Sequence, residues 1–127
     1  MEKIVNYTAQ DEVKIVEFIR KVQADAEPER EILSRSVLIK DDNDIVGMVS
    51  YVSLDNMGVI RYFLYDARIA GTDLIALMFM ELYKNAHAAG IKQIAAQAPN
   101  QEVGNLFQML GFTEVNDGAM MINLETA

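Results

Sequence analysis

The chain contains no cysteine among its 127 residues and only one histidine, His87. Disulfides, thiolate nucleophiles and zinc sites with cysteine ligands are therefore excluded. One histidine also argues against a histidine-rich metal site and a Ser-His-Asp triad, so we expect no metal. We expect His87 to be structural or exposed, because it falls near the end of a predicted helix, where a cation suits the helix dipole.

Long apolar runs and low-complexity tracts are also lacking, and there are only 2 prolines. No run approaches the ~20 apolar residues that a membrane-spanning helix needs. The opening residues MEKIVNYTAQ lack a basic region followed by an apolar core, so we expect no signal peptide. These features predict a cytoplasmic protein without a membrane partner.

Basic residues are in short supply, because 11 Lys and Arg face 19 Asp and Glu, for a formal net charge of −8. Such a protein repels phosphate backbones, so we expect no nucleic acid partner and favour a small amine. The negative charge of the protein also repels an anionic cofactor, so such a cofactor would need a strong local binding site. The length and a hydrophobic content of 51% predict one domain, residues 1–127, with a packed core.

Hydrophobic periodicity predicts seven strands and four helices. The strands cover residues 3–7, 37–39, 45–54, 59–65, 91–96, 112–115 and 119–124. The helices cover residues 11–22, 30–35, 72–89 and 100–110. Residues 25–29 separate the first helix from the second. Turn residues at 41–44 and 55–58 indicate an antiparallel meander, and 116–118 indicates a closing hairpin.

Capping and burial follow from the same patterns. Asp11 is the predicted N-cap of the first helix, Thr72 that of the third, and Gly90 the stop after the third helix. The inward residues of the first and third helices are predicted to be Val13, Ile15, Val16, Phe18, Ile19, Val22, Leu74, Ile75, Leu77, Met78 and Leu82. Five methionines are also predicted to lie in core positions: Met78, Met80, Met109, Met120 and Met121.

The order β-α-α-β-β-β-α-β-α-β-β predicts a single-domain α/β fold in which helices flank a mixed central sheet. Residues 59–96 form a strand–loop–helix–strand unit, which we expect to be a right-handed parallel crossover. Two stretches in this order carry candidate chemistry, and each also has a purely structural interpretation.

The first stretch is NQEVGNLFQMLGF, residues 100–112. Asn100 is a strong helix N-cap, and Gly111 is a typical residue just past a helix end. Phe107 lies on the predicted apolar face and is expected to be core. The second stretch is ARIAGTDLI, residues 67–75, where a loop with Arg68 and Gly71 opens a helix. Free N–H groups and the dipole at such a helix start attract phosphate.

Together with the element order, these spacings resemble those of the GNAT-type N-acetyltransferase superfamily, which has the acyl-CoA N-acyltransferase fold. The resemblance implies acetyl-CoA as co-substrate, with Asn100 contacting its pantetheine arm. It implies that the loop holds the pyrophosphate through Arg68, Ala70, Gly71, Thr72 and Asp73, and that backbone N–H groups near Phe63, Leu64 and Tyr65 polarise the thioester. Phe107 occupies the position of the family's usual tyrosine acid, where it contacts the cofactor but has no proton to donate.

Asp73 stands where the family's loop has a small residue. A carboxylate satisfies the helix dipole by itself and also repels phosphate. The repulsion energy between the two negative charges is up to about 4 kcal/mol at a separation of ~4 Å, before solvent screening. Arg68 has an alternative role as well, since it can pair with Asp66 or Asp73. Two alternatives to an enzyme therefore stay open, a GNAT-fold binding protein with little or no CoA binding, and a homodimer that pairs residues 112–124 across subunits. As an enzyme it would be a monomer or homodimer.

Acid–base candidates lie on or beside the central strands, at Tyr51, Asp55, Tyr62 and Tyr65. We favour Tyr62 and Tyr65 as catalytic candidates, although three residues of separation on one strand place them on opposite faces. The function predicted from the sequence is N-acyl transfer from acetyl-CoA to a small amine by direct attack on the thioester.

Overall fold

A computed structural model describes residues 1–22, 28–71 and 73–126 and contains one mixed seven-stranded sheet. Its strands lie side by side in the order β1-β2-β3-β4-β5-β7-β6. All neighbouring pairs are antiparallel except β4 and β5, which are parallel. The predicted α/β class and element order are confirmed. The strands are Glu2–Asn6 (β1), Val37–Asp41 (β2), Asp44–Leu54 (β3), Met57–Tyr65 (β4), Gln93–Gln97 (β5), Thr113–Asn116 (β6) and Ala119–Asn123 (β7).

Four helices cover the sheet: Glu12–Val22 (α1), Arg30–Leu33 (α2), Asp73–Ala88 (α3) and Gln101–Met109 (α4). Successive strand residues point to opposite faces, so the sheet has two separate cores. Leu38 and Met48 lie in the core beneath α1 and α2, whereas Val37 and Val49 lie in the core beneath α3. Within the described part of the chain, no helix is long and apolar enough to cross a membrane.

The predicted turns are confirmed by residues with positive φ. Asp42, Asp55 and Asp117 adopt φ values of 55°, 57° and 36°, in a region that aspartate tolerates better than most residues. Gly90 and Gly111 follow α3 and α4 with φ values of 87° and 100°, as expected of residues that end helices.

A β-bulge interrupts β4, which the sequence predicts as a regular strand. Ser50 of β3 pairs with Tyr62, and the next residue, Tyr51, pairs with Ile60, so Arg61 is an extra residue in β4. β4 pairs with β5 only through residues 57–59, opposite residues 93–95. Beyond the bulge, the two parallel strands separate. This separation opens a groove beside β4.

Some predicted core residues are exposed, because the buried stripe of each helix is narrower than its apolar residues suggest. Val13 and Val22 of α1 are 69% and 52% exposed, since Ile15, Phe18 and Ile19 form the buried stripe. On α3 the predicted inward residue Leu77 is likewise exposed.

Two of the five methionines predicted to be core are also exposed. Met80 of α3 and Met109 of α4 are 63% and 84% exposed. Each lies outside the buried stripe of its helix. The buried stripe includes Met78 and Phe79 on α3, and Phe107 on α4.

The sheet topology limits how the homodimer alternative could form. β7 pairs with β5 on one side and with β6 on the other, all within one chain. Its backbone hydrogen-bonding groups are therefore used internally, and only the outer edge of β6 could pair with another subunit.

The chain enters α1 through a turn in which Asp11 has a different role from the predicted one. The helical turn begins after Thr8, and the Asp11 carboxylate accepts hydrogen bonds of 3.0 Å from both the N–H and the hydroxyl of Thr8. The predicted N-cap role of Asp11 is therefore wrong, because a 3₁₀ turn over Ala9–Asp11 precedes α1 and the Asp11 carboxylate accepts its hydrogen bonds from Thr8. Asp11 is buried, and it also forms an ion pair with Lys40 of β2.

These contacts change the acidity of Asp11. Burial alone would raise the pKa of its carboxyl, but the hydrogen bonds from Lys40 and Thr8 outweigh burial and hold the pKa below its ordinary value. The ion pair links α1 to β2 across the edge of the core that α1 covers.

We expect Asp11→Asn to lower the free energy of unfolding by about 1–3 kcal/mol at neutral pH, because Lys40 loses a buried partner. The folded pKa is depressed, so the contribution is present above the unfolded pKa of about 3.9 and is lost as pH falls through the folded value. Urea unfolding of wild type and variant at neutral and acidic pH measures the difference.

Asp42→Asn is the matched control, because the Asp42 side chain is 85% exposed and pairs only with the amino terminus. Its effect should stay within about 0.5 kcal/mol. Equal destabilisation by the two variants would show that burial of the Asp11–Lys40 pair contributes nothing.

Candidate functional site

The separation of β4 from β5 opens a cavity of about 240 Å³, which we call the β4–β5 cavity. Because residues 60–65 of β4 have no partner on β5, their backbone groups on that edge are free to bind an extended ligand. The cavity is lined by Ile60, Arg61, Tyr62, Phe63, Leu64, Tyr65, Ala96, Gln97, Pro99, Val103 and Phe107.

A second cavity, of about 390 Å³, lies between the start of α3 and α4, and we call it the α3 cavity. Tyr65 lines both cavities, so the two are neighbours along the end of β4. The lining is mainly apolar. It consists of Tyr65, Ala70, Gly71, Asp73, Ile75, Ala76, Glu102, Asn105, Leu106, Met109 and Leu110.

Phe107 is buried at the inner wall of the β4–β5 cavity, and its predicted core role is confirmed. Its ring centroid lies 5.7 Å from that of Phe63 on β4 and 5.1 Å from that of Phe112. Phe79 of α3 completes the cluster, 5.0 Å from Phe63. These four phenylalanines supply an apolar wall without a proton donor, and the rings of Tyr65 and Tyr83 adjoin them, 5.3 Å from Phe63 and 6.0 Å from Phe79.

Tyr83 of α3 fixes the far end of α4. Its hydroxyl donates a hydrogen bond of 2.6 Å to the Leu110 carbonyl, which lies just past the last turn of α4. Burial raises the pKa of the Tyr83 phenol well above its ordinary value, so the proton of this bond is retained. The bond holds α4 against α3 and thereby sets the width of the α3 cavity.

Asn100 caps α4, as predicted. Its side-chain oxygen accepts a hydrogen bond of 2.9 Å from the Val103 N–H. The residue lines neither the β4–β5 cavity nor the α3 cavity, but a separate depression shared with Gly118 and Met120. The structure therefore shows the structural role of Asn100, and contact with a cofactor stays a prediction.

Arg68 faces away from the α3 cavity. Its guanidinium lies 3.4 Å from the Asp41 carboxylate and 3.5 Å from that of Asp66. The Asp66 side chain also accepts a hydrogen bond from the Arg68 N–H. Of the two predicted ion-pair partners, Asp66 is found and Asp41 takes the place of Asp73. The structure does not bring Arg68 together with Gly71 and Asp73.

The turn before α3 keeps the small-residue geometry that the sequence predicts. Gly71 has a φ of 78°, and a side chain placed there would meet no other atom within 4 Å. The neighbouring Thr72, predicted as a helix cap and phosphate ligand, lies outside the described residues. Asp73 is exposed and lines the α3 cavity opposite Glu102. Among the described lining residues of this cavity, none is basic.

The two catalytic candidates lie on opposite faces of β4, as predicted. Tyr62 is buried in the core beneath α1, and the Arg61 guanidinium lies 5.1 Å from the centre of its ring. Tyr65 is half-buried, and its ring centroid lies 5.3 Å from that of Phe63. Only Tyr65 belongs to both cavities. Leu64 shares the Tyr62 face, so it reaches the β4–β5 cavity mainly along the backbone.

Other acid–base candidates lie elsewhere. Tyr51 is buried and lines a pocket beside Asn85, and Asp55 is in the β3–β4 turn.

Arg61 was not predicted from the sequence as a site residue, because its place in the groove depends on the bulge. Glu102 and Asn105 were not predicted either, although a helical projection of α4 puts them on one face, three residues apart.

No protein-family model and no curated protein sequence matches the chain. Solved structures do match. A GNAT-family acetyltransferase from Staphylococcus aureus shares a TM-score of 0.75 at 15% identity, with 98% of this chain and 99% of that chain covered. The PaiA N-acetyltransferase from Thermoplasma acidophilum, solved in complex with coenzyme A, shares 0.73 at 13% identity, covering 97% and 99%.

N-acetylglutamate synthase from Neisseria gonorrhoeae, complexed with coenzyme A and N-acetyl-glutamate, gives a TM-score of 0.77 at 15% identity. That match covers 98% of this chain, which spans only 35% of the synthase. The three matches each cover at least 97% of this chain. The chain therefore has the fold of the GNAT-type N-acetyltransferases.

Proposed function

We propose that the protein is an acyl-CoA-dependent N-acyltransferase that transfers an acetyl group to a small amine. The observation that carries the proposal is the free edge of β4 beyond the bulge. Residues 60–65 line a cavity there without strand partners on β5. Two structurally similar proteins are complexed with coenzyme A, which supports a thioester co-substrate.

The chain's own residues suit this reaction. The free β4 edge offers N–H and C=O groups to the amides of an extended pantetheine arm, in the manner of an added strand. Backbone N–H groups near Phe63 to Tyr65 would polarise the thioester carbonyl. The walls formed by Phe63 and Phe107 exclude water, which favours attack by the amine over hydrolysis.

The transfer itself needs one new bond and two proton movements. The uncharged amine nitrogen bonds to the carbonyl carbon, the carbon–sulfur bond breaks, and the sulfur leaves with the electron pair. The nitrogen releases one proton to water and the thiolate gains one. The group that protonates the sulfur regains its own proton from water, so no net proton is consumed. Phe107 cannot supply the sulfur's proton. We assign it to the Tyr65 hydroxyl, because Tyr65 is the one favoured tyrosine that lines both cavities.

Charge in the α3 cavity weakens cofactor binding in this proposal. Asp73 and Glu102 both line the cavity where the fold would place the pyrophosphate, and Arg68 is held by Asp41 and Asp66. Two carboxylates and no lining cation oppose a phosphate group. Cofactor affinity then depends on the pantetheine contacts along β4 and on N–H groups at the start of α3.

Titration with acetyl-CoA, monitored by amide NMR, tests the proposal directly. We expect saturable shifts concentrated in residues 60–65, 70–76 and 102–107, the segments that line the two cavities. Millimolar cofactor without any shift in these segments would rule out acyl-CoA chemistry for this chain.

Removing the Asp73 charge should strengthen cofactor binding. We expect Asp73→Gly and Asp73→Asn each to lower the Kd for acetyl-CoA about tenfold, because one like-charge repulsion is removed. Calorimetric titration measures both. The asparagine variant separates charge from side-chain size, and Glu2→Gln, at the far edge of the sheet, removes an equal charge away from the cavity. If all three variants bind equally well, local repulsion by Asp73 is not the obstacle.

The Tyr65 assignment predicts a change in turnover without a change in binding. With an amine that serves as acceptor, Tyr65→Phe should lower kcat about 100-fold and leave acetyl-CoA affinity unchanged. Tyr62→Phe, on the other face of β4, should retain kcat. Release of free thiol over time measures both rates. Equal rates for wild type and Tyr65→Phe would assign the proton to water instead.

A further inference from the structure

A third pocket, of about 280 Å³, lies where β1 ends and β2 begins, beside the last turns of α3. We propose that this Arg35 pocket binds a small oxyanion, either a carboxylate or inorganic phosphate. Its polar lining includes Asn6, Tyr7, Arg35, Ser36, Tyr51 and Asn85. It shares no lining residue with the β4–β5 or α3 cavity, so the proposal is independent of acyl transfer.

Ser36 forms part of the pocket wall but supplies no donor to it. The residue is 3% exposed, and its hydroxyl is closed to solvent, without a hydrogen-bond partner among the described residues. Its backbone is satisfied, since the N–H donates to the Leu33 carbonyl at 3.0 Å and the carbonyl accepts from the Tyr7 N–H at 3.1 Å. A ligand must therefore be held by the other polar side chains of the pocket.

Arg35 supplies a cation that is not neutralised. It is half-buried, and no carboxylate of the described residues lies within ion-pair distance of it. The only hydrogen bond that its guanidinium makes with the described residues is a long one, 3.4 Å, to the Glu31 carbonyl. The guanidinium carbon lies 5.8 Å from the centre of the Tyr51 ring, which orients the group beside the pocket. Several of its N–H donors are therefore free.

Tyr51 adds a hydroxyl. Its ring is buried against Gly58, where a side-chain carbon would lie only 3.0 Å from the ring, so the ring position depends on that glycine. The hydroxyl takes part in no hydrogen bond with the described residues. Burial raises the pKa of the Tyr51 phenol, with Arg35 opposing, so the group is protonated and able to donate at neutral pH.

The donor set selects the class of ligand. Arg35 and Tyr51 offer donors, and Asn85 uses its amide N–H to bond the Asn6 oxygen at 2.7 Å, which leaves the Asn6 amide N–H groups free. None of the described lining residues is acidic, in a chain of net charge −8. Free donors around one cation favour a carboxylate or phosphate over an amine. The volume suits a small ion rather than a nucleotide.

Amide NMR titration of the full chain with sodium phosphate and, separately, with sodium acetate tests the proposal, with sodium chloride at equal ionic strength as the reference. We expect saturable shifts at Asn6, Tyr7, Asn85 and residues 34–37 with one or both anions and none with chloride. Shifts with acetate alone would identify a carboxylate site, and shifts with phosphate alone a phosphate site.

One variant and two controls locate the binding. Arg35→Gln should weaken binding at least about tenfold, because the charged donor is lost. Ser36→Ala should leave affinity unchanged, because the Ser36 hydroxyl is closed to solvent. Arg20→Gln, an exposed arginine on α1, should leave affinity unchanged. Dispersed spectra of each variant confirm that it is folded.

Several outcomes would overturn the proposal. Shifts that do not saturate, or that chloride reproduces, would indicate screening of surface charge only. Equal affinity in wild type and Arg35→Gln would show that the anion binds elsewhere. No shifts with either anion at high millimolar concentration would show that the pocket binds no oxyanion.

Discussion

The groove depends on the loss of pairing between β4 and β5. Three residues of β4 pair with β5, and the bulge at Arg61 then turns the strand away. Unpaired backbone groups in a sheet are normally costly, and parallel strands usually stay covered and paired. Here the cluster of Phe63, Phe79, Phe107 and Phe112 fills the wedge between the diverging strands. The apolar filling keeps the strands apart, and the free edge of β4 remains available to a ligand.

Charge determines how strongly that groove can bind. In the described part of the turn before α3, Gly71 has a positive φ and open space around it. The side chains around it work against an anion, because Asp73 and Glu102 line the cavity and Arg68 pairs with Asp41 and Asp66. The backbone at this end of the groove leaves room for an anion, but the charges of the side chains oppose one. If the protein uses the proposed CoA-type substrate, the apolar β4–β5 cavity must supply most of its binding energy.

α3 connects the separate parts of the molecule. Its first turn borders the α3 cavity, and its middle turns contribute Phe79 and Tyr83, which hold the aromatic cluster and the end of α4. Its last turns place Asn85 beside the Arg35 pocket. α3 therefore borders both the α3 cavity and the Arg35 pocket.

The sequence alone determined the order of elements, the turns at Asp42, Asp55 and Asp117, the cap at Asn100 and the burial of Phe107, because these depend on local propensity and periodicity. It overestimated burial at Val13 and Met109, since periodicity identifies an apolar side of a helix but not the width of its contact. Only the tertiary structure decided the bulge at Arg61, because a register shift between β3 and β4 leaves no mark in the local pattern. The partners of Arg68 and the grouping around Ser36 were also decided there, since both involve residues distant in the chain.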